Sequence, residues 1–375
     1  MVWPRAKMAS CSAPAYFPPE LIPEVARWLT SLQDFFALRA SCRAYRAALP
    51  LTPSNLASQA PLLLVYPDRD QATESSALYH LPLRRLLRFR LPRARQDSSS
   101  SFFSLGCRVV ICDYMRDLNR RELRMVHLLT GEQTRLPSPA AAYPAFILSG
   151  DLIVNWGYFG DTIQSYRLGA ADWSVASIRE HYKYKCSCQC FKKNNKYKLD
   201  GMVCVNGTIY VLVSNSLLDS PVYHLAVVEL SDDRNSAGLV VLGELHPGTL
   251  ELPVDTELYV YLAECRGELI LIVIMEDNPR VYRVFEWKSG EGEWVRITSL
   301  GGCALFFASE YFVGCLGPDH PGIRKDCIYV NEEGLWSEYS SVDGSFRQSD
   351  AVYPEGKLQE TFTESSSVWV FPSMC

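Results

Sequence analysis

The chain has 375 residues, of which 48% are hydrophobic and 21% charged, with a formal net charge of −5. This is globular composition; it excludes disorder as the main state, and the charge excludes a chain-wide polyanion-binding role. The longest apolar stretch, Leu258 to Met275, contains Glu264, Arg266 and Glu268, so it does not read as a membrane span.

At the N-terminal end, Met1 to Pro19 holds Arg5 and Lys7 but no apolar stretch behind them, unlike a secretory signal. Residues 18–50 contain helix formers, arginines and no glycine, whereas everything after about residue 60 reads as short strands. Residues 1–60 carry a net +3, which leaves −8 for the rest. A small basic helical head on an acidic β body is expected. In the head, Pro18 and Pro19 suit a first helical turn, where a missing N–H costs nothing. Leu21, Ile22, Val25, Trp28 and Leu29 follow at helical spacing and predict one apolar stripe, with Pro23 keeping the first turn irregular. Ser31 is placed to cap a second helix over Leu32 to Ser41, with Asp34 at N3 and Phe35, Leu38 and Cys42 inward. A third helix, Arg43 to Leu49, ends at Pro50. Three short helices in about 35 residues bury too little surface to stand alone, so they lean on a partner or a neighbouring domain.

The body follows. Arg84, Arg85, Arg88, Arg90, Arg93 and Arg95 form a basic run in which Phe89 and Leu91 alternate as on a strand with one wet face; Asp97 to Ser101 reads as a loop. Hairpins are predicted at Phe146 to Val154 around Gly150, at Val203 to Val213 around Asn206-Gly207, and at Cys265 to Ile274 around Gly267. Strand pairs carrying Trp173, Trp294 and Trp336 come between or after them, and Gly290-Glu291-Gly292 reads as a turn. A hairpin followed by a tryptophan pair, repeated at roughly 45–60 residues, is the pattern of propeller blades, six or seven in number. Tandem sandwiches fit the strand count but not that order. The closing strand near Trp369 is expected to complete a blade with Leu62 to Tyr66, which hides exposed sheet edges.

Chemistry-bearing residues are sparse. The thirteen cysteines are an odd number spread singly along most of the chain, which predicts reduced thiols rather than a disulfide framework. Cys186, Cys188 and Cys190, after His181, alternate too closely for usual zinc spacing and read as a surface insertion between blades. Lys183, Lys185, Lys192, Lys193, Lys196 and Lys198, interleaved with Tyr182, Tyr184 and Tyr197, read as a solvated or target-binding loop. There is no phosphate loop, no Gly-x-Ser-x-Gly elbow and no His-Glu-x-x-His, and the six histidines lack motif spacing.

Two resemblances add to this reading. Phe17-Pro18-Pro19-Glu20-Leu21-Ile22, then Val25, Leu29, Asp34, Leu38-Arg39, Cys42 and Tyr45-Arg46, is similar to the F-box motif. That motif opens Leu-Pro-x-Asp/Glu-Leu-Leu and closes Arg-x-Val-Cys-x-x-Trp-Arg; this chain departs at Phe17, Ser41 and Tyr45. The resemblance implies an F-box-like domain over residues 14–52 that docks the Skp-type adaptor of a cullin–RING ubiquitin ligase. Its partner-binding residues would be Phe17, Pro18, Glu20, Leu21, Ile22, Val25, Leu29, Leu38, Arg39, Cys42, Tyr45 and Arg46. Leu21, Ile22 and Val25 would fill a groove on a helical partner. The alternative is a helical cap packed on the β body, and exposure or burial of these three discriminates the two.

Beyond the head, His127 to Pro137, Tyr282 to Trp287, Trp294-Val295, Ser299-Leu300-Gly301, Ala304 to Phe307, Asp326 to Val330 and Val368 to Ser373 resemble segments of the plant KIB-type, kelch-like propellers that accompany F-boxes. The resemblance implies a mainly β chain with a small α head: a three-helix F-box, then a degenerate six- or seven-bladed propeller over 60–375. It implies a non-catalytic substrate receptor of an SCF-type ligase, in the cytoplasm and/or nucleus, with propeller loops binding a target protein. No cofactor, metal, nucleic acid or membrane enters that reading. The alternatives are a propeller scaffold with a vestigial head, or a propeller enzyme with a carboxylate or metal site in the channel.

Overall fold

In the computed structural model the described residues are 17–65, 77–88, 98–115, 120–138, 145–156, 162–177, 182–183, 197–215, 223–230, 237–245, 250, 258–275, 278–308, 311–318, 320, 322–332, 335–350 and 367–374. A 3₁₀ turn, Pro19–Leu21, leads into α1 (Ile22–Ala26), α2 (Leu32–Ser41), α3 (Arg43–Ala48) and α4 (Pro53–Leu56). Pro23 sits in the first turn of α1, where its missing N–H breaks no bond. The helix stops after Ala26, so the expected stripe is cut short, and Trp28 beyond it is 83% exposed. Ser31 holds the N-cap position of α2 in extended conformation, but its buried hydroxyl makes no capping bond. Cys42, expected inward, is exposed between α2 and α3. Its extended backbone lets the sulfur accept the Tyr45 N–H at 3.4 Å and cap α3 instead.

The strands form six sheets. The first blade holds β1 (Leu62–Val65), β2 (Ala77–His80) and β3 (Arg85–Arg88); the second β4 (Ser98–Leu105), β5 (Arg108–Met115), β6 (Arg120–His127) and β7 (Gln133–Leu136); the third β8 (Ala145–Ser149), β9 (Leu152–Trp156), β10 (Thr162–Arg167) and β11 (Ser174–Ser177). In the fourth, β12 (Tyr182–Lys183) lies parallel on the outer edge of β13 (Tyr197–Val205), β14 (Thr208–Asn215), β15 (Tyr223–Leu230) and β16 (Ala237–Leu245), next to β16. The fifth holds β17 (Leu258–Cys265), β18 (Glu268–Met275), β19 (Asn278–Lys288) and β20 (Glu293–Ile297). The sixth holds β21 (Ala304–Ala308), β22 (Tyr311–Leu316), β23 (Cys327–Glu332), β24 (Leu335–Ser340) and β25 (Phe346–Asp350) in the order β22-β21-β23-β24-β25, with β21 parallel to β23.

The last strand, β26 (Ser367–Val370), returns to the first blade and pairs antiparallel with β1, Trp369 opposite Leu63. The ring therefore closes as expected, through the two ends of the chain. The innermost strands β26, β4, β8, β13, β17 and β22 follow one another around it, and β21 meets β26. The fold is a six-bladed β-propeller. One expected loop is a strand: Ser98 to Leu105 pairs along its length with β5, and that ladder overrides the weak strand preference of serine.

Apolar clusters fill the blade interfaces. The widest joins the sixth, first and second blades to the head, through Ile22, Ala26, Phe35, Leu49 and Leu56. At its centre Phe306 stacks on Tyr329 at 4.8 Å and meets Trp369 and Phe371 edge-on, both at 5.2 Å. No helix among the described residues is long and apolar enough to cross a membrane.

Candidate partner-binding surfaces

The head is bolted to the first blade by polar contacts as well as by its core. Ser58 Oγ donates to the Ala26 and Leu29 carbonyls at 3.1 and 2.8 Å, and Gln59 Nε2 donates to Leu29 O at 2.6 Å. These bonds satisfy carbonyls that the end of α1 leaves open. His80, fully buried in β2, accepts the Leu83 N–H at Nδ1 and so donates from Nε2 to Thr30 O at 2.9 Å.

The residues of the F-box-like pattern divide between two environments. Ile22 is 0% exposed and Tyr45 is buried; Val25, Leu29, Leu38 and Arg39 are half-buried, with Arg39 Nε donating to Leu49 O at 2.9 Å. Phe17, Pro18, Glu20, Leu21, Cys42 and Arg46 are exposed. Phe17 is 51% exposed and Leu21 50%, and like Trp28 they leave apolar surface of the head in water. The discriminating trio is split: Leu21 points out, Ile22 points in and Val25 lies between. A fully inward or fully outward stripe is corrected to this divided one, because Leu21 ends the 3₁₀ turn and Ile22 opens α1, and in either helix neighbouring side chains leave the axis about 100–120° apart.

Successive strands of a blade run antiparallel, so the tight turns β4–β5, β8–β9, β13–β14 and β17–β18 share one face. Side chains link them: Asn206 Nδ2 donates to Gly267 O at 2.9 Å, and Cys204 Sγ donates to Ser149 Oγ at 3.2 Å. Asn206 and Gly207 have φ of 50° and 82°, the paired positive values of the expected type I′ turn. The head lies on this same face. The 3₁₀ turn Pro372–Met374 touches α4, and the Phe371 N–H donates to Gly106 O in the β4–β5 turn at 2.9 Å.

On the sixth blade, Asp326 Oδ1 accepts from Leu300 N at 2.6 Å, Gly302 N at 3.0 Å and Ser299 Oγ at 2.8 Å, and pins the 299–303 segment. Beside it Arg324 reaches Glu338 Oε1 at 3.2 Å and Asp343 Oδ2 at 2.6 Å. Burial, and then the Glu338 carboxylate, hold the Tyr329 hydroxyl far above its usual pKa, so it stays protonated and donates to Glu338 at 3.0 Å.

The cysteines of the 186–190 segment lie outside the described residues. So do Lys185 to Lys196 and Arg90 to Arg95. Cys42, Cys112, Cys204, Cys265, Cys303, Cys315 and Cys327 are free thiols. Cys107 is disulfide-bonded, against the expectation of thiols throughout. One group that could hold a metal ion escaped the sequence reading: Cys265, Cys303 and Cys315, whose sulfurs converge between the fifth and sixth blades.

The model of the KIB1-4 beta-propeller family matches residues 78–358. The chain belongs to this family. The match to the KIB1-4 propeller begins in β2 and runs past β25, so the head, β1 and the closing β26 fall outside it. No curated protein matches the chain. Among solved structures, this KIB1-4 propeller overlaps a chain of a nidogen/laminin complex at 12% identity and a TM-score of 0.36, covering 84% of this chain and 100% of that one. It overlaps Hsv2p of Kluyveromyces lactis at 14% identity and a TM-score of 0.36, covering 80% and 76%.

Proposed function

We propose that this KIB1-4 propeller is the substrate-receptor subunit of an SCF-type cullin–RING ubiquitin ligase. The head docks the Skp-type adaptor, and the propeller holds the target protein. The observation that carries this reading is the outward apolar surface of Phe17, Leu21 and Trp28 on a head whose other side is already buried in the propeller. Large apolar side chains left in water beside an ordered core mark interaction sites. The head lies on the tight-turn face, and the target is assigned to the opposite one. The chain does no covalent chemistry in this scheme: it raises the effective concentration of a target lysine at the ubiquitin-loaded enzyme.

The test is capture of purified adaptor by the full chain, wild type beside the Phe17→Asp/Leu21→Asp variant. Ile22 is left alone because it belongs to the core. Burying the exposed half of Phe17 and of Leu21 contributes about 1 kcal/mol each, so the double variant should bind roughly thirtyfold more weakly at unchanged melting temperature. A folded wild type that does not bind, or a variant that binds equally well, overturns the proposal.

A second reading has an observation of its own. Ile22, Ala26, Phe35 and Leu49 share one core with Leu62 and Trp369, as a fixed cap on the ring closure would. In that reading the chain is a propeller interaction scaffold, and the adaptor leaves no footprint on the head in hydrogen exchange.

A further inference from the structure

Three thiols from separate segments meet where the fifth and sixth blades touch. Cys265 is the last residue of β17, Cys303 immediately precedes β21, and Cys315 lies near the end of β22. Their sulfurs all lie within 4.8 Å of one another, and those of Cys265 and Cys315 are 3.7 Å apart. Cys265 is 5% exposed and Cys303 1%, while Cys315 is half-buried. We propose that Cys265, Cys303 and Cys315 hold one zinc ion as three thiolates, a site that ties the fifth blade to the sixth.

Geometry comes first. Zinc bound tetrahedrally to thiolates at about 2.3 Å holds its sulfurs roughly 3.8 Å apart. The 3.7 Å between Cys265 and Cys315 is already that spacing, and the third sulfur needs only a small shift.

The cluster is also held in place. Cys265 ends a strand that continues straight into the Arg266-Gly267 turn. Cys303 follows the segment pinned by Asp326, and Cys315 is fixed opposite Leu305 in the β21–β22 ladder. This is the irregular part of the ring, where β21 runs parallel to β23 and a cross-link between blades has most to add.

The charge selects the ion. Three thiolates around a divalent ion carry −1 and around Cu(I) −2 in the same buried place, where Glu264 adds to the negative charge and Arg266 offsets it for either ion, so the divalent ion leaves less charge uncompensated. The three thiols release their protons to solvent as the ion binds, with no change of oxidation state. Water completes four-coordination. The site is independent of what the head binds.

The test is titration of the full chain with Co2+, after chelation and reduction by a phosphine. Thiolate-to-cobalt charge-transfer absorption is read, and zinc is then used to displace it. The site predicts one equivalent per chain, displaced by zinc. Affinity should fall at least about tenfold in Cys265→Ser and in Cys303→Ser, and stay unchanged in Cys42→Ser and in the combined Cys186→Ser/Cys188→Ser/Cys190→Ser variant. Because a serine variant could simply fold poorly, unfolding midpoints are compared with and without zinc. Zinc should raise the wild-type midpoint and leave that of Cys303→Ser where it was. A folded wild type without charge-transfer absorption overturns the site. So does absorption that survives Cys265→Ser and Cys303→Ser or disappears with the 186–190 cysteines. Binding of Cu(I) but not zinc overturns the assignment of the ion.

Discussion

Ile22 and Leu21 are neighbours with opposite surroundings, and replacing each by alanine measures whether head and propeller are one cooperative unit. Ile22 is 0% exposed within the cluster that also holds Leu62 and Trp369. Ile22→Ala removes three buried carbons at about 0.8 kcal/mol each. The cavity left behind brings the loss to about 3–4 kcal/mol, since the surroundings relax only in part. Leu21 is half exposed, so Leu21→Ala should lose about 1 kcal/mol or less. The assay is urea unfolding followed by tryptophan emission. Trp156 and Trp369 are fully buried in the propeller and report on it, whereas Trp28 is largely in water already. The expected outcome is a single transition, moved far down by Ile22→Ala and little by Leu21→Ala, with an unchanged slope. An Ile22→Ala midpoint indistinguishable from that of Leu21→Ala would refute the shared core. So would loss of the head while the buried tryptophans stay native.

Gly322 has φ +80°, and a Cβ there would lie 2.6 Å from Pro82 Cβ in the first blade; Gly150 has φ +61° with nothing within 4 Å. Both glycine-to-alanine changes lose about 1 kcal/mol to the left-handed backbone, but Gly322→Ala should lose about 1–3 kcal/mol more through the clash; equal midpoints would show that the contact gives way freely. Hydrogen bonds from Ser345, assisted by Arg324, hold the Asp343 carboxyl well below the usual carboxylate range. Its contribution to stability is therefore complete above about pH 4 and is lost as pH falls through the lower folded value. Asp343→Asn should flatten the acid limb of the melting-temperature profile, and a limb parallel to wild type would remove the carboxyl from the account.

Much of the ring was legible in the sequence because its signals are local. Asn206-Gly207 specifies a turn by backbone chemistry alone, and the period of hairpins and tryptophans specifies blades. The pairing of Trp369 with the Leu62 strand followed from the need to hide an edge. The blade count was not legible, because the sixth blade returns β22 to the inside and runs β21 parallel to β23, an order no local pattern encodes. Ser98 to Ser101 misled for a related reason, since their strand exists through its partner. In the head, periodicity located α2 and α3 but not the end of α1, and so it assigned Trp28 to the wrong side. The thiol cluster had no motif to betray it: its three cysteines are far apart in the chain and meet only because two blades do.

The closing strand gives the molecule an order of assembly. Trp369 and Phe371 stand in the same cluster as Ile22 and Phe35, so α1 and α2 cannot finish packing until β26 arrives. Contacts between opposite ends of the chain are the slowest to form, because the whole intervening chain must first be gathered in. A nascent chain stalled before β26 would present an unpaired β1, an unfinished core and a loosely held head. The surface offered by Phe17 and Leu21 is thus ordered only on a chain whose propeller is complete.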